Sequence, residues 1–288
     1  MQTHTLLSTA IAAFLDQLSA DVCARQRSPS TLRYYTDTFR ALVEGLKSGH
    51  GAELMVADLT PSAMRGSSWH VLQAAKRLCA WSSERGLCAH NALATVRLPR
   101  QGRRVRILSR GEAARLLHAA GSGLRRLLFV CLRTGARPGE LRCACWSDVD
   151  WAARVIVLVE HKTSRRRTDG AQRIIALDPV VYRFLQSMFA RRSPAEQLFV
   201  SRRGEPWSAS ALRQGVRKAR INAGLSDDVC AYTLRHTMAT WATRAGIRDR
   251  LLADLLGHTR TTTTQRYQHL DATDQLSALS RVHARLGR

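Results

Sequence analysis

Apolar residues recur at three- and four-residue steps along most of this chain, the spacing of helices with one buried face. The first stripe runs from Leu6 to about Ser19 and carries Ile11, Phe14, Leu15 and Leu18. Ser28 with Pro29 behind it marks a helix start, and Leu32, Tyr35, Phe39, Leu42, Val43 and Leu46 continue that helix. Thr60-Pro61 opens a short helix. Ser68 precedes another, with Val71, Leu72, Ala75, Leu78 and Trp81 in step and an end near Gly86; a last turn lies around Asn91 to Val96. The pattern predicts an all-helical module over residues 1–101. Residues 102–106, inside PRQGRRVR, read as a basic, glycine-containing linker, and a second module spans 107–288.

The second module opens with Ser109 three residues ahead of Glu112, a capping box before Ala113 to Ala120. A strongly apolar helix follows, Leu124 to Leu132, then TGARPGE, in which Pro138 suits the first turn of a new helix. Val155 to Val159 and Arg173 to Ala176 are β-rich runs flanking HKTSRRRTDGAQ, a hairpin with a long basic tip. Helices at about Pro179–Ala190 and Ala209–Ala223 come next. Leu234, Met238, Trp241 and Ala242 then stripe a helix that Gly246 ends, and a further helix, Leu251 to Leu256, stops at Gly257. Thr261 to Thr264 are four β-branched residues in a row, poor helix formers, so Tyr267 stands on a loop. A terminal helix over 271–286 shows Leu276, Leu279, Val282 and Leu286 on one face, which must be buried on its own domain or on a neighbour. The fold class is mainly α with a small β-hairpin.

Charge narrows the partners. The 288 residues carry a formal charge of +23, written with 41 arginines and only four lysines: Lys47, Lys76, Lys162 and Lys218. Such an excess favours a polyanion, since each neutralised phosphate releases counterions and long-range attraction speeds association. A membrane surface is the rival. No apolar run is long enough to span a bilayer, and the N-terminal stretch has no basic flank and places Asp16 inside its apolar face. A soluble, cytoplasmic protein is expected. The seven cysteines include one Cys-x-Cys, Cys143 and Cys145, with no second pair near it. They read as small buried residues in a reducing compartment, and no metal is expected.

The candidate chemistry lies between Arg235 and Tyr267. Singly, an arginine on an amphipathic helix is solvated, a histidine after a helix-ending glycine is a cap, and a tyrosine in a polar loop is surface. Together they suit phosphoryl transfer: a guanidinium on phosphate oxygens, a histidine donating a hydrogen bond, a phenol attacking phosphorus.

TGARPGELRCACWSDVDW resembles the first arginine box of the tyrosine recombinases, the phage integrase family, and LRHTMATWATRAG with LLGHTRTTTTQRYQHL resembles the second. His258 and Tyr267 stand nine residues apart, as in that family, and HKTSRRR falls where the family keeps its lysine. SPSTLRYYTDTFRALVEGL is similar to the family's core-binding domain, so the likeness covers most of the chain. It implies a helical, SAM-like core-binding domain and a catalytic domain that close round double-stranded DNA at paired core sites. It also implies a homotetramer on DNA, no cofactor and no metal, because the broken phosphodiester's energy stays in a 3′-phosphotyrosyl bond.

Carried over, the resemblance gives Arg137 and Arg235 the scissile phosphate, Lys162 the proton for the departing 5′-oxygen, and His258 a second hydrogen bond to phosphate. Tyr267 is the nucleophile. Glu140 and His236 read as supporting residues, the first orienting an arginine or a helix start. Arg33, Arg103, Arg104, Arg165, Arg166 and Arg167 are the DNA-binding arginines. One departure stands out: Tyr232 occupies the place where the family carries His or Lys, and a phenol is a poor base near neutral pH. A simple, Xer-like recombinase or one from a mobile element is expected. The alternatives are a type IB topoisomerase-like enzyme that relaxes supercoils and a non-catalytic DNA-binding relative.

Overall fold

The computed structural model describes residues 5–47, 53–99, 106–158, 172–189, 193, 195–257, 276 and 279–284. The chain divides into two compact units, Met1–Arg103 and Arg104–Arg288.

The first unit is built on α1 (Leu7–Cys23), α2 (Pro29–Lys47) and α3 (Trp69–Glu84). Phe14 of α1 is its hub, meeting Tyr35 and Phe39 of α2 and Trp81 of α3 edge-on at centroid distances of 5.2, 5.5 and 5.3 Å. Edge-to-face contact sets each ring's positive rim against its neighbour's negative face and adds to the area buried. Arg33 lies on the exposed side of α2. Two expectations need correcting here. Helix α1 runs to Cys23, past Ser19, because nothing breaks it before the left-handed Arg25 at φ 56°. Thr60-Pro61 opens only a turn: its bonds are short-range, Thr60 Oγ1 accepts from the Ala63 amide, and Gly66 at φ +77° leaves the helical region.

The second unit wraps its core around α5 (Ser122–Thr134), on which Leu124, Leu127, Leu128, Val130, Cys131 and Leu132 are all buried. Around it stand α4 (Arg110–Ala119), α6 (Pro138–Cys143), α8 (Ala209–Asn222) and α9 (Ala231–Arg244). A three-stranded antiparallel sheet joins β1 (Val149–Asp150), β2 (Val155–Leu158) and β3 (Arg173–Ala176), with Leu158 opposite Arg173. β1 escaped sequence reading because two residues carry no periodicity. α7 (Pro179–Phe189) follows β3, and α10 (Asp249–Leu256) follows α9.

A separate apolar cluster joins Ala176, Met238, Ala242, Ile247, Leu252, Leu255 and Leu256 with Leu279 and Val282 of the helical residues 279–284. Leu279 and Val282 of the terminal stripe are therefore buried on their own unit in this single chain, with Leu276 partly buried beside them; Leu286 lies outside the described residues. No helix among the described residues is long and apolar enough to cross a membrane. Of the cysteines, only Cys79 and Cys131 are buried; Cys23, Cys143 and Cys230 are exposed, because each falls at a helix end or cap and not on an apolar face.

Candidate active site

The site is assembled at the C-terminal end of α10. The last carbonyls of any α-helix lack partners within the helix, and here arginines from three separate elements take them. Arg173 of β3 donates through Nη2 to Leu255 O at 2.7 Å and through Nη1 to Asp254 O at 3.3 Å. Arg235 of α9 donates through Nη2 to Leu256 O at 2.6 Å, and through Nη1 to Gly135 O at 2.8 Å. Arg137, at the start of α6, donates through Nη2 to Gly257 O at 2.9 Å. Cations are favoured here, since the aligned peptide dipoles leave partial negative charge at this end.

Two glycines make the approach possible. Gly257 caps α10 in the left-handed region at φ +64°, and a Cβ there would stand 2.7 Å from Arg173 Nε. Gly135 caps α5 at φ +69°, where a Cβ would meet Leu256 Cδ2 at 2.8 Å and Met238 Sδ at 2.9 Å. Both positions demand a residue without a side chain on two counts, backbone angle and room.

Glu140 is the carboxylate of the cluster. Its Oε2 accepts the Arg137 amide at 2.9 Å, so it caps α6, and its Oε1 accepts Arg137 Nη1 at 2.6 Å. Arg173 Nε lies 3.6 Å from Oε2. Burial on its own would raise the Glu140 pKa; the charge of Arg173, then the Arg137 amide and guanidinium, outweigh it and hold the carboxyl below its usual range. Burial pulls Arg173 down to about 10, with Glu140 opposing and Arg235 and Arg137 assisting, which still leaves it protonated at neutral pH. Arg235, 2 % exposed, is likewise lowered, by burial first and then by the charge of Arg137.

Two guanidiniums, Arg137 and Arg173, thus meet one carboxylate, and Arg235 adds a third positive charge beside them. Carbonyl dipoles offset part of the excess, but the cluster remains cationic, with Glu140 its one carboxylate partner among the described residues. Arg137 and Arg235 each spend two N–H groups on these contacts; the rest of each planar fork suits a tetrahedral oxyanion.

Tyr232 stands beside this cluster, 40% exposed, with the Arg235 guanidinium 5.8 Å from its ring centroid. The His236 ring packs against it at 5.1 Å. Of the residues singled out in the sequence, Arg137, Glu140, Arg235, Tyr232 and His236 are therefore brought together, and Arg33 belongs to the other unit. Lys162, His258, Tyr267, Arg103, Arg104, Arg165, Arg166 and Arg167 lie outside the described residues. Sequence reading missed Arg173. The available signal was register: alternation along β3 puts Arg173 on the same face as Ile175, and both are buried.

Residues 106–274 match the model of the phage integrase family. The chain is 33% identical over 223 residues to the tyrosine recombinase XerC of Rhodospirillum centenum, covering 72% of this chain and 63% of that protein, short of two thirds of its length. With tyrosine recombinase XerC of Alcanivorax borkumensis it shares 26% over 311 residues, covering 99% of this chain and 97% of the relative. Among solved structures it resembles a lambda integrase tetramer bound to a Holliday junction, with a TM-score of 0.71 at 19% identity over 91% of this chain and 80% of that one. A lambda integrase dimer bound to a core site gives 0.68 at 20%, over 90% and 97%; at such identities the likeness is one of fold. A family model that spans more than half of the chain, and a relative a third identical over most of it, make this protein a member of the phage integrase family.

Proposed function

We propose that this protein is a site-specific DNA recombinase that cuts and rejoins strands through a 3′-phosphotyrosyl intermediate. The observation that carries the reading is the joint placement of Arg137 and Arg235 on neighbouring carbonyls at one helix end, with Glu140 holding Arg137. A phosphodiester in transit to a pentacoordinate state gathers charge on its two non-bridging oxygens, and two forked guanidiniums match it better than ammonium groups would. Positioned donors of this kind need no reorganisation when the charge develops, and removing one typically costs about 10²–10³ in rate.

Tyr267 attacks phosphorus, the bond from phosphorus to the 5′-oxygen breaks, Lys162 supplies the proton that oxygen takes up, and the phenol's own proton passes to solvent. His258 donates to a non-bridging oxygen. The reverse attack by a 5′-hydroxyl restores the phosphodiester, so one ester is exchanged for another throughout. The exposed Arg33, together with Arg103, Arg104 and Arg165 to Arg167, holds the backbone of duplex DNA in the cytoplasm, and four copies act together at paired core sites. The names of the relatives and the net charge of +23 support the same reading.

The test is a nicked suicide substrate, from which the short 5′-ended fragment diffuses away and traps the covalent complex. Wild-type protein should give a band that survives denaturing electrophoresis, and Tyr267→Phe should bind the same DNA and give none. A persisting band in Tyr267→Phe would remove Tyr267 from its role.

A further inference from the structure

The buried guanidinium of Arg173 remains unused by this chemistry, and it is an expensive group to keep. It sits on the inward face of β3 with 3 % of its surface exposed, where a leucine or isoleucine would pack without loss of hydration. An ionised group taken out of water costs several kcal/mol unless its donors are met. Its Nη1 and Nη2 donate to backbone, to Leu255 O, Asp254 O and Ile174 O at 2.7, 3.3 and 2.7 Å, while its buried Nε has no hydrogen-bond partner among the described residues and lies 3.6 Å from Glu140 Oε2. The first two directly precede the carbonyls held by Arg235 and Arg137, those of Leu256 and Gly257.

Consecutive carbonyls at one helix end are therefore divided among three arginines. Arg173 takes those of residues 254 and 255, Arg235 that of Leu256, and Arg137 that of Gly257. Arg173 and Arg137 also approach opposite oxygens of Glu140. A shift of Arg173 consequently reaches Arg137 by two routes, through the end of α10 and through Glu140. It reaches Arg235 through the neighbouring carbonyl. Gly257 closes the arrangement, because any Cβ there would displace the Arg173 side chain.

We infer that Arg173 is a positioning residue for the strand-cleavage reaction, fixing the end of α10 so that Arg137 and Arg235 present their free donors at the phosphate in one geometry. This rests on the recombinase reading above. Arg173 touches no DNA in this account and acts only through the other two arginines. A misplacement of about 1 Å in such a clamp can cost about 10²-fold in rate.

The experiment measures single-turnover cleavage of the suicide substrate with protein saturating over DNA, for wild type, Arg173→Met, Arg173→Lys, Arg137→Lys and the double variant Arg173→Met with Arg137→Lys. Methionine keeps much of the volume and removes the donors; lysine keeps the charge and loses the fork. Arg173→Met should bind DNA within about threefold of wild type and cleave about 100-fold more slowly, and Arg173→Lys should recover part of that rate. Because residues that act as a unit are non-additive, Arg173→Met should cost far less in the Arg137→Lys background than in wild type. A residue needed only for folding would lower the fraction of active protein, seen as amplitude, and leave the rate constant of the surviving complexes unchanged. That outcome, a wild-type rate in Arg173→Met, or costs that multiply with Arg137→Lys, overturns the inference. If Arg173→Met does not fold, Arg173→Lys decides: a wild-type rate constant overturns, a reduced one supports. Wild-type protein that gives no adduct would count against the recombinase reading itself, which separates the two failures.

Discussion

At the scale of residues, the second arginine box illustrates what motif reading can and cannot reach. Arg235 on an amphipathic helix would ordinarily be solvated, yet it is 2 % exposed and bonded to two backbone carbonyls. The pattern of types suggested a chemistry for it but could not supply its surroundings, because the carbonyls it meets belong to α5's cap and the end of α10, distant in sequence. Glu140 was legible as a supporting residue from its three-residue spacing to Arg137; its approach to Arg173 was not, since that depends on tertiary packing. Tyr232 invites a direct trial. It stands where the family carries His or Lys, and it lies against the Arg235 side chain. Tyr232→His should introduce an inflection in the pH–rate profile of cleavage near pH 6–7, and Tyr232→Phe should slow cleavage by about tenfold, about 1.4 kcal/mol of barrier. Identical profiles for all three proteins, measured by single-turnover cleavage from pH 5.5 to 8.5, would place Tyr232 outside the reaction.

At the scale of elements, most helices were legible because their apolar spacing and caps agree. Ser68, Ser109 and Ser208 each accept an amide of the first turn they precede, and Glu112 returns the bond to Ser109 in α4. Elements defined by pairing were less so: β1 is two residues long and exists only because β2 lies beside it. The terminal helical residues were legible as amphipathic, but a stripe does not say which surface will cover it. Here Leu279 and Val282 fill the cluster between α9 and α10, and His283 fastens the segment. Its Nε2 lies 2.9 Å from Arg133 O and 3.4 Å from Asp178 Oδ2, and Asp178 also accepts from Arg133 Nε at 3.0 Å. Burial lowers the His283 pKa, the Arg133 charge adds to that, and the Arg133 carbonyl and Asp178 only partly oppose it. The docked histidine is thus neutral, donating from Nε2. A lowered pKa means that docking is fully favoured above the free value, about 6.5, and weakens as pH falls from there through the docked value. Amide exchange of residues 279–284, corrected for intrinsic rates, should therefore show less protection at pH 5.5 than at 7.5 in wild type. His283→Gln, which can donate without titrating, should remove the difference; equal protection in wild type at both pH values would refute the latch.

At the scale of the whole molecule, composition and topology answer different questions. The charge of +23 pointed to a polyanion before any motif was considered, because attraction to a phosphate backbone grows with the number of contacts, whatever the fold. The two-unit division and the small three-stranded sheet owe nothing to charge; they follow from where apolar stripes end and where a chain of this length can build separate cores. What sequence could not supply was the meeting point. Arg137, Arg173 and Arg235 come from a helix start, a strand and a helix, and only the folded second unit shows that one helix end collects all three. In the recombinase reading proposed above, this meeting point serves attack by Tyr267 on a DNA phosphate. The most direct measurement is mass spectrometry of the trapped complex after trypsin and nuclease digestion. A nucleotide 3′-phosphate is expected on the peptide Tyr267–Arg281, attached through Tyr267. A 5′-linked nucleotide, or one attached to the Tyr232 peptide, would contradict that reading.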